Sequence, residues 1–202
     1  MKIIKYLAIG SSIIIIIYFV IVYIALEIAF GGFGPTYTKA DLIQNYETHK
    51  TSINAVKEYV QSTLPKNKTV FIEFENEHTL SIFHVTIDGN QESNWQVAVK
   101  SAKADSLLNL LGWSKTTLTI LKSKLDLANC ISVSNGGVFQ VGYQRSGMGM
   151  YFYNLFDEPL TDSLKAAFNG GCTHIYYKDN VVLEYGGGAF GRQCFEDYYD
   201  KK

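Results

Sequence analysis

The stretch VFIEFENEHTLSIFHVTIDGNQESNWQVAV, residues 70–99, decides the fold class. Residues 70–74 and 79–87 are rich in β-branched and aromatic side chains, and the polar residues 76–78 separate them, which predicts two strands of a hairpin. Apolar and polar residues alternate over 95–99 and predict a third strand. An antiparallel meander is therefore expected in this part of the chain.

The segments on either side of the meander predict helices and further strands. Thr38 is a candidate N-cap for a long helix, which Pro65 ends. Helices are also expected at 104–111, 115–127 and 159–168, and strands at 131–134, 138–143, 150–156, 173–177 and 181–185. Because the strands are joined by short turns and the helices are grouped, the predicted class is α+β, with antiparallel strands and packed helices in one domain over residues 38–202.

The N-terminal residues predict a transmembrane anchor over residues 1–30. The stretch from Tyr6 to Leu26 contains no charged residue, and its length matches a hydrocarbon core of about 30 Å. Lysines precede it, so the N-terminus is expected in the cytoplasm and the C-terminal domain outside, as a single-pass membrane protein. A cleaved signal peptide is the alternative. Residues 31–37 are then a short linker.

Composition and charge exclude several classes of function. The formal net charge is −1 and basic residues are not clustered, so nucleic acid is not expected as a partner. Residues 186–191 match a dinucleotide-binding glycine pattern, but too few residues follow for the helix and strand that this site needs. Cysteine and histidine show no paired metal-ligand spacing. We therefore predict no cofactor and no metal ion.

The three cysteines favour one disulfide bond. Cys172 precedes the last predicted hairpin and Cys194 follows it, so these two are the nearest pair in the expected topology. Such a bridge would stabilise the fold by about 3 kcal/mol. Cys130 would remain a small buried thiol. The alternative is that Cys194 is a nucleophile served by His174 or His84.

Two glycine-containing loops in the C-terminal half form the candidate binding site. One loop contains Arg145 and leads into an aromatic strand with Tyr151, and the other follows Tyr185 and contains Arg192. If the loops converge, these four residues would bind an anionic or peptide ligand. The alternative is an ordinary hairpin turn in which the arginine is solvated.

Three short segments carry a resemblance to a known group of proteins. They are residues 145–151, residues 182–188 and the sequence Gln193-Cys194-Phe195. Over about the last ninety residues the chain resembles an uncharacterised family of bacterial membrane-anchored or exported proteins. This resemblance implies a location in the bacterial cell envelope and transfers no catalytic residue.

The function expected from these observations is binding. We predict a membrane-anchored envelope protein, not an enzyme, whose domain binds another envelope protein or a cell-surface ligand. The alternative is an exported hydrolase that uses Cys194 or Ser146, and an immunity protein against a toxin is also compatible with the anchor. An enzyme needs a pocket where nucleophile, base and oxyanion donors converge, whereas a binding domain needs an exposed apolar or aromatic patch.

Overall fold

Five helices and eight strands make up the part of the chain that the structure describes. The computed structural model describes residues 2–29, 34–188, 193–196 and 198. In chain order the elements are α1 (Lys2–Ala29), α2 (Lys39–Thr63), β1 (Lys68–Phe74), β2 (Thr79–Ile87), β3 (Asn90–Ala98), α3 (Ala102–Leu111), α4 (Lys115–Leu127), β4 (Ser132–Ser134), β5 (Phe139–Ser146), β6 (Gly149–Leu155), α5 (Asp162–Asn169), β7 (His174–Lys178) and β8 (Val181–Gly186).

The N-terminal helix α1 does not meet the requirement for a membrane anchor. Among the described residues, no helix is both long enough and apolar enough to cross a membrane. The predicted transmembrane helix over residues 1–30 and the predicted single-pass membrane location are therefore wrong. The predicted linker begins with residues 31–33, which lie outside the described part.

All eight strands belong to one antiparallel sheet, in the order β3-β2-β1-β4-β5-β6-β8-β7. Two similar units lie side by side in it, because α2 precedes the meander β1–β3 and α4 precedes the meander β4–β6. The units meet where β1 pairs with β4, between Phe71↔Ser134 and Glu73↔Ser132. β8 and β7 then extend the second unit beyond β6. The α+β class with antiparallel strands is as predicted.

The helices begin and end where the sequence contains capping residues. Thr38 and Asp41 form a capping box at the start of α2, and the chain leaves the helix at Leu64, before Pro65. Ser114 and Thr117 form the same arrangement at the start of α4. These local signals explain why both long helices of the domain could be predicted from sequence.

One face of the sheet, which we call the helix face, carries the hydrophobic core. Successive side chains of a strand point to opposite faces, so alternate residues of each strand lie here. Buried residues of α2, α3 and α4 belong to the same core cluster as those of the strands, including Leu42, Ile53, Val60, Leu107, Leu121, Ile72, Phe83, Val141, Tyr153 and Leu183. This burial is the main stabilising contribution to the domain.

The opposite face, which we call the open face, carries a different set of side chains. The pairing registers place two rows across all eight strands. The first row is Trp95, Ile82, Glu73, Ser132, Gly142, Phe152, Glu184 and His174, and the second is Ser93, His84, Phe71, Ser134, Gln140, Asn154, Val182 and Tyr176. Helix α5 packs on this face at the β7 end, where the ring of Phe168 lies 5.6 Å from that of His174. The open face therefore carries polar side chains as well as aromatic and aliphatic ones.

Candidate functional site

The two loops of the predicted binding site lie next to each other. β6 pairs with β8 so that Met150 is opposite Gly186, which places the turn between β5 and β6 beside the chain leaving β8. At Gly188 the contact is close, since a Cβ there would lie 2.2 Å from the Cβ of Met148. Only glycine permits this approach. The second loop continues through residues 189–192, which are outside the described residues.

The two tyrosines of the predicted site lie on the helix face and pack against other rings. Tyr151 is 2% exposed and Tyr185 is 4% exposed, with ring centroids 4.6 Å apart. Phe195, from the C-terminal segment, packs on both rings. The Tyr151 hydroxyl also accepts a hydrogen bond from the backbone N–H of Tyr37 at 3.2 Å. Burial raises the pKa of Tyr151, so its hydroxyl stays protonated.

Arg145 lies on the other face of the sheet and pairs with a buried carboxylate that the sequence analysis did not identify. Its Nη2 donates to Oε2 of Glu73 at 2.7 Å, and its Nε donates to Oε1 of the same carboxylate. Nη1 donates to the carbonyl oxygen of Met148 at 3.2 Å. The Glu73 side chain is 1% exposed and the Arg145 side chain is 36% exposed. The guanidinium therefore already has a bidentate partner.

The small residues of β4 and β5 make room for this ion pair. Glu73 is in β1 and Arg145 is in β5, so the guanidinium reaches across the intervening strand β4. A Cβ at Gly142 in β5 would lie 2.0 Å from Oγ of Ser132 in β4, so these two strands pack closely where the pair crosses them. Arg192 lies outside the described residues. That Arg145, Tyr151, Tyr185 and Arg192 bind a ligand stays a prediction.

A second polar group on the open face surrounds Glu184. Its Oε2 accepts hydrogen bonds from Asn154 at 2.7 Å and from Gln140 at 2.9 Å, and it lies 3.4 Å from Nε2 of His174. The other ring nitrogen of His174 lies 2.9 Å from Oγ1 of Thr173. Burial by itself raises the pKa of Glu184, but the hydrogen bonds from His174 and Asn154 outweigh it and lower that pKa overall. The group therefore keeps a carboxylate charged in a largely buried position.

The lowered pKa of Glu184 predicts a specific pH dependence. The folded-state pKa of Glu184 is below the unfolded one, so the charged group stabilises the fold above about pH 4. This contribution is lost as the pH falls through the folded-state pKa. Glu184→Gln should therefore lower the free energy of unfolding by about 1–2 kcal/mol at pH 7, and the difference from the wild type should shrink towards pH 3. Urea unfolding at pH 7, 5 and 3 measures this. Glu77→Gln, at an exposed position, is the control. A difference that does not change with pH would contradict the assignment.

Three aromatic rings form the third feature of the open face. His84 lies edge-on between Phe71, at 5.8 Å between ring centroids, and Trp95, at 5.0 Å. Trp95 is 64% exposed although it is the largest side chain on this face. Nε2 of His84 is buried and has no hydrogen-bond partner among the described residues. Burial lowers the pKa of His84, which favours its neutral form.

The cysteines are arranged as predicted. Cys172 and Cys194 form a disulfide bond with their Cα atoms 5.0 Å apart, and Cys130 is a free, buried cysteine. Burial raises the pKa of the Cys130 thiol, so this thiol stays protonated. With the bridge closed, Cys194 has no thiolate to serve as the nucleophile of the alternative hydrolase. Ser146, the other candidate, pairs with Gly149 at the tight turn between β5 and β6.

The described residues contain no group of three or more His, Cys, Asp or Glu side chains that could bind a metal ion. Comparisons with family models, with curated proteins and with solved structures gave no match to this chain. The resemblance to exported bacterial proteins therefore stays a prediction, and the function has to be argued from the geometry of the domain.

Proposed function

We propose that the chain is a binding domain that recognises another protein through the open face of its sheet. The observation that carries this proposal is the exposure of Trp95, which is 64% accessible on that face. Tryptophan is among the residues that contribute most to binding energy in protein interfaces. When a partner covers an apolar ring of this size, removal of the ring from water makes the free energy of binding more favourable.

The surroundings of Trp95 resemble the centre of an interface. Ile82, Phe71 and His84 are half-buried beside it and extend the apolar surface along the two rows. The His84 ring lies 5.0 Å from the Trp95 ring, so a partner that packs on Trp95 would cover both rings together.

Polar groups further along the open face supply the hydrogen bonds that surround such a centre. Ser134 and Gln140 are half-buried, and they continue the second row from Phe71 towards Asn154. Arg145, one of the predicted binding residues, lies on the same face with about a third of its side chain exposed. A protein interface combines an aromatic centre with a polar rim of this kind.

Substitution of Trp95 tests the proposal. Trp95→Ala should weaken binding of the partner at least tenfold, about 1.4 kcal/mol, while the midpoint of unfolding changes little because the ring is mostly in solvent. The partner is first captured with the full chain from an extract of its own cells, and its affinity is then measured by surface plasmon resonance. Leu127→Ala is the matched control, since Leu127 is 68% exposed but lies on α4. Equal affinities of the wild type and Trp95→Ala would overturn the proposal.

A further inference from the structure

A cavity lies between the start of α2, the end of α5, the first residues of β7 and the C-terminal segment. Its volume is about 360 Å³, within the size range of small-molecule sites. The described residues that line it are Lys39, Asn169, Gly171, Cys172, His174, Ile175, Phe195 and Tyr198. The cavity lies at the β7 edge of the sheet, whereas Trp95 lies on β3 at the opposite edge.

Most of the cavity wall is apolar. Phe195 and Ile175 contribute an aromatic and a branched aliphatic side chain, and Cys172 belongs to the disulfide bond. The polar atoms of the His174 ring are already engaged, one with Thr173 and the other close to the Glu184 carboxylate. His174 therefore adds a ring to the wall, and the apolar part of a ligand fits beside it.

The remaining polar groups favour a negatively charged ligand. Lys39 is the cation among the described lining residues, and no carboxylate is among them. Lys39 forms no ion pair with another described residue. Oδ1 of Asn169 accepts a hydrogen bond from the backbone N–H of Tyr176 at 2.9 Å, which leaves the amide NH₂ as the group that can donate to a ligand. An ammonium and an amide donor at one cavity match the oxygen atoms of a carboxylate.

We propose that this cavity binds a small carboxylate with an aromatic or branched aliphatic body. Lys39 and Asn169 bind the carboxylate, and Phe195 and Ile175 contact the body. Because Cys172 and Phe195 are both in the wall, the Cys172–Cys194 bond keeps the cavity in its binding shape. The same chemistry occurs in a free carboxylic acid and at the C-terminus of a peptide, and the experiment distinguishes these sources.

Calorimetric titration of the full, oxidised chain tests the proposal with two pairs of probes. The first pair is 3-phenylpropionate and its uncharged amide, and the second is a short peptide ending in phenylalanine with a free or an amidated C-terminus. The carboxylate of at least one pair should bind about tenfold more tightly than its amide. Preference for the first pair identifies a free acid, and preference for the second identifies a peptide.

Variants at the cavity complete the test. Lys39→Gln should weaken binding of the preferred carboxylate about tenfold, and Lys66→Gln, at an exposed position outside the cavity, should not change it. Asn169→Asp keeps the acceptor for Tyr176 but places a negative charge at the site, so it should weaken binding further. If no carboxylate binds at millimolar concentration, if the amides bind equally well, or if Lys39→Gln binds like the wild type, the proposal is overturned.

Discussion

Arg145→Ala should lower the free energy of unfolding of the domain by about 3 kcal/mol, because the Glu73 carboxylate would stay buried without its partner. The carboxylate is 1% exposed and accepts two hydrogen bonds from the guanidinium. Chemical denaturation followed by circular dichroism measures the loss. An effect of this size identifies Arg145 as a structural residue, whatever its part in binding.

Two further variants separate the ion pair from the loss of side-chain packing. Arg145→Lys keeps the charge but not the bidentate geometry, so its loss should be intermediate. The double variant Glu73→Leu with Arg145→Met removes both charges and should recover most of the stability, because no buried charge is left unpaired. A loss below about 1 kcal/mol for Arg145→Ala would show that water replaces the guanidinium, contrary to the burial of Glu73.

Loss of the Cys172–Cys194 bond should cost about 3 kcal/mol, because the bridge closes a loop with a sequence separation of 22 residues. It also fixes Phe195, which is 1% exposed and packs on Tyr151 and Tyr185. The double variant Cys172→Ser with Cys194→Ser should therefore unfold at a lower denaturant concentration than the oxidised wild type.

A reducing agent provides the control for this prediction. It should lower the unfolding midpoint of the wild type to that of the double serine variant and leave the variant itself unchanged. Alkylation of the folded variant should be slow, since its remaining cysteine, Cys130, is 3% exposed. If reduction leaves the wild-type midpoint unchanged, the bridge does not restrain the unfolded chain as proposed.

The secondary structure could be predicted from sequence because its signals are local. The alternation at 70–99 and the capping residues Thr38 and Ser114 each act within a few positions. The same reasoning failed for the N-terminal helix, where a charge-free sequence predicted a membrane span that the described residues do not support. Only the end of β3 was recognised from its apolar residues, because 5 of the nine residues of this strand are exposed.

The candidate site was only partly predictable, because its partners are distant in sequence. Glu73 is the one charged residue among apolar neighbours at 70–74, which was a signal, but Arg145 lies 72 positions away. Their contact depends on the order of β1, β4 and β5 in the sheet, which local patterns do not determine. The disulfide was predictable because both cysteines flank one hairpin.

The junction of the two helix-and-meander units has a consequence for folding kinetics. Within each meander, β1–β3 and β4–β6, neighbouring strands are joined by short turns, so their contacts form with little loss of chain entropy. The pairing of β1 with β4, from Phe71↔Ser134 to Glu73↔Ser132, is the step that joins the two meanders. We expect substitutions at this junction to slow refolding, whereas substitutions at the outer strand β3 should mainly accelerate unfolding.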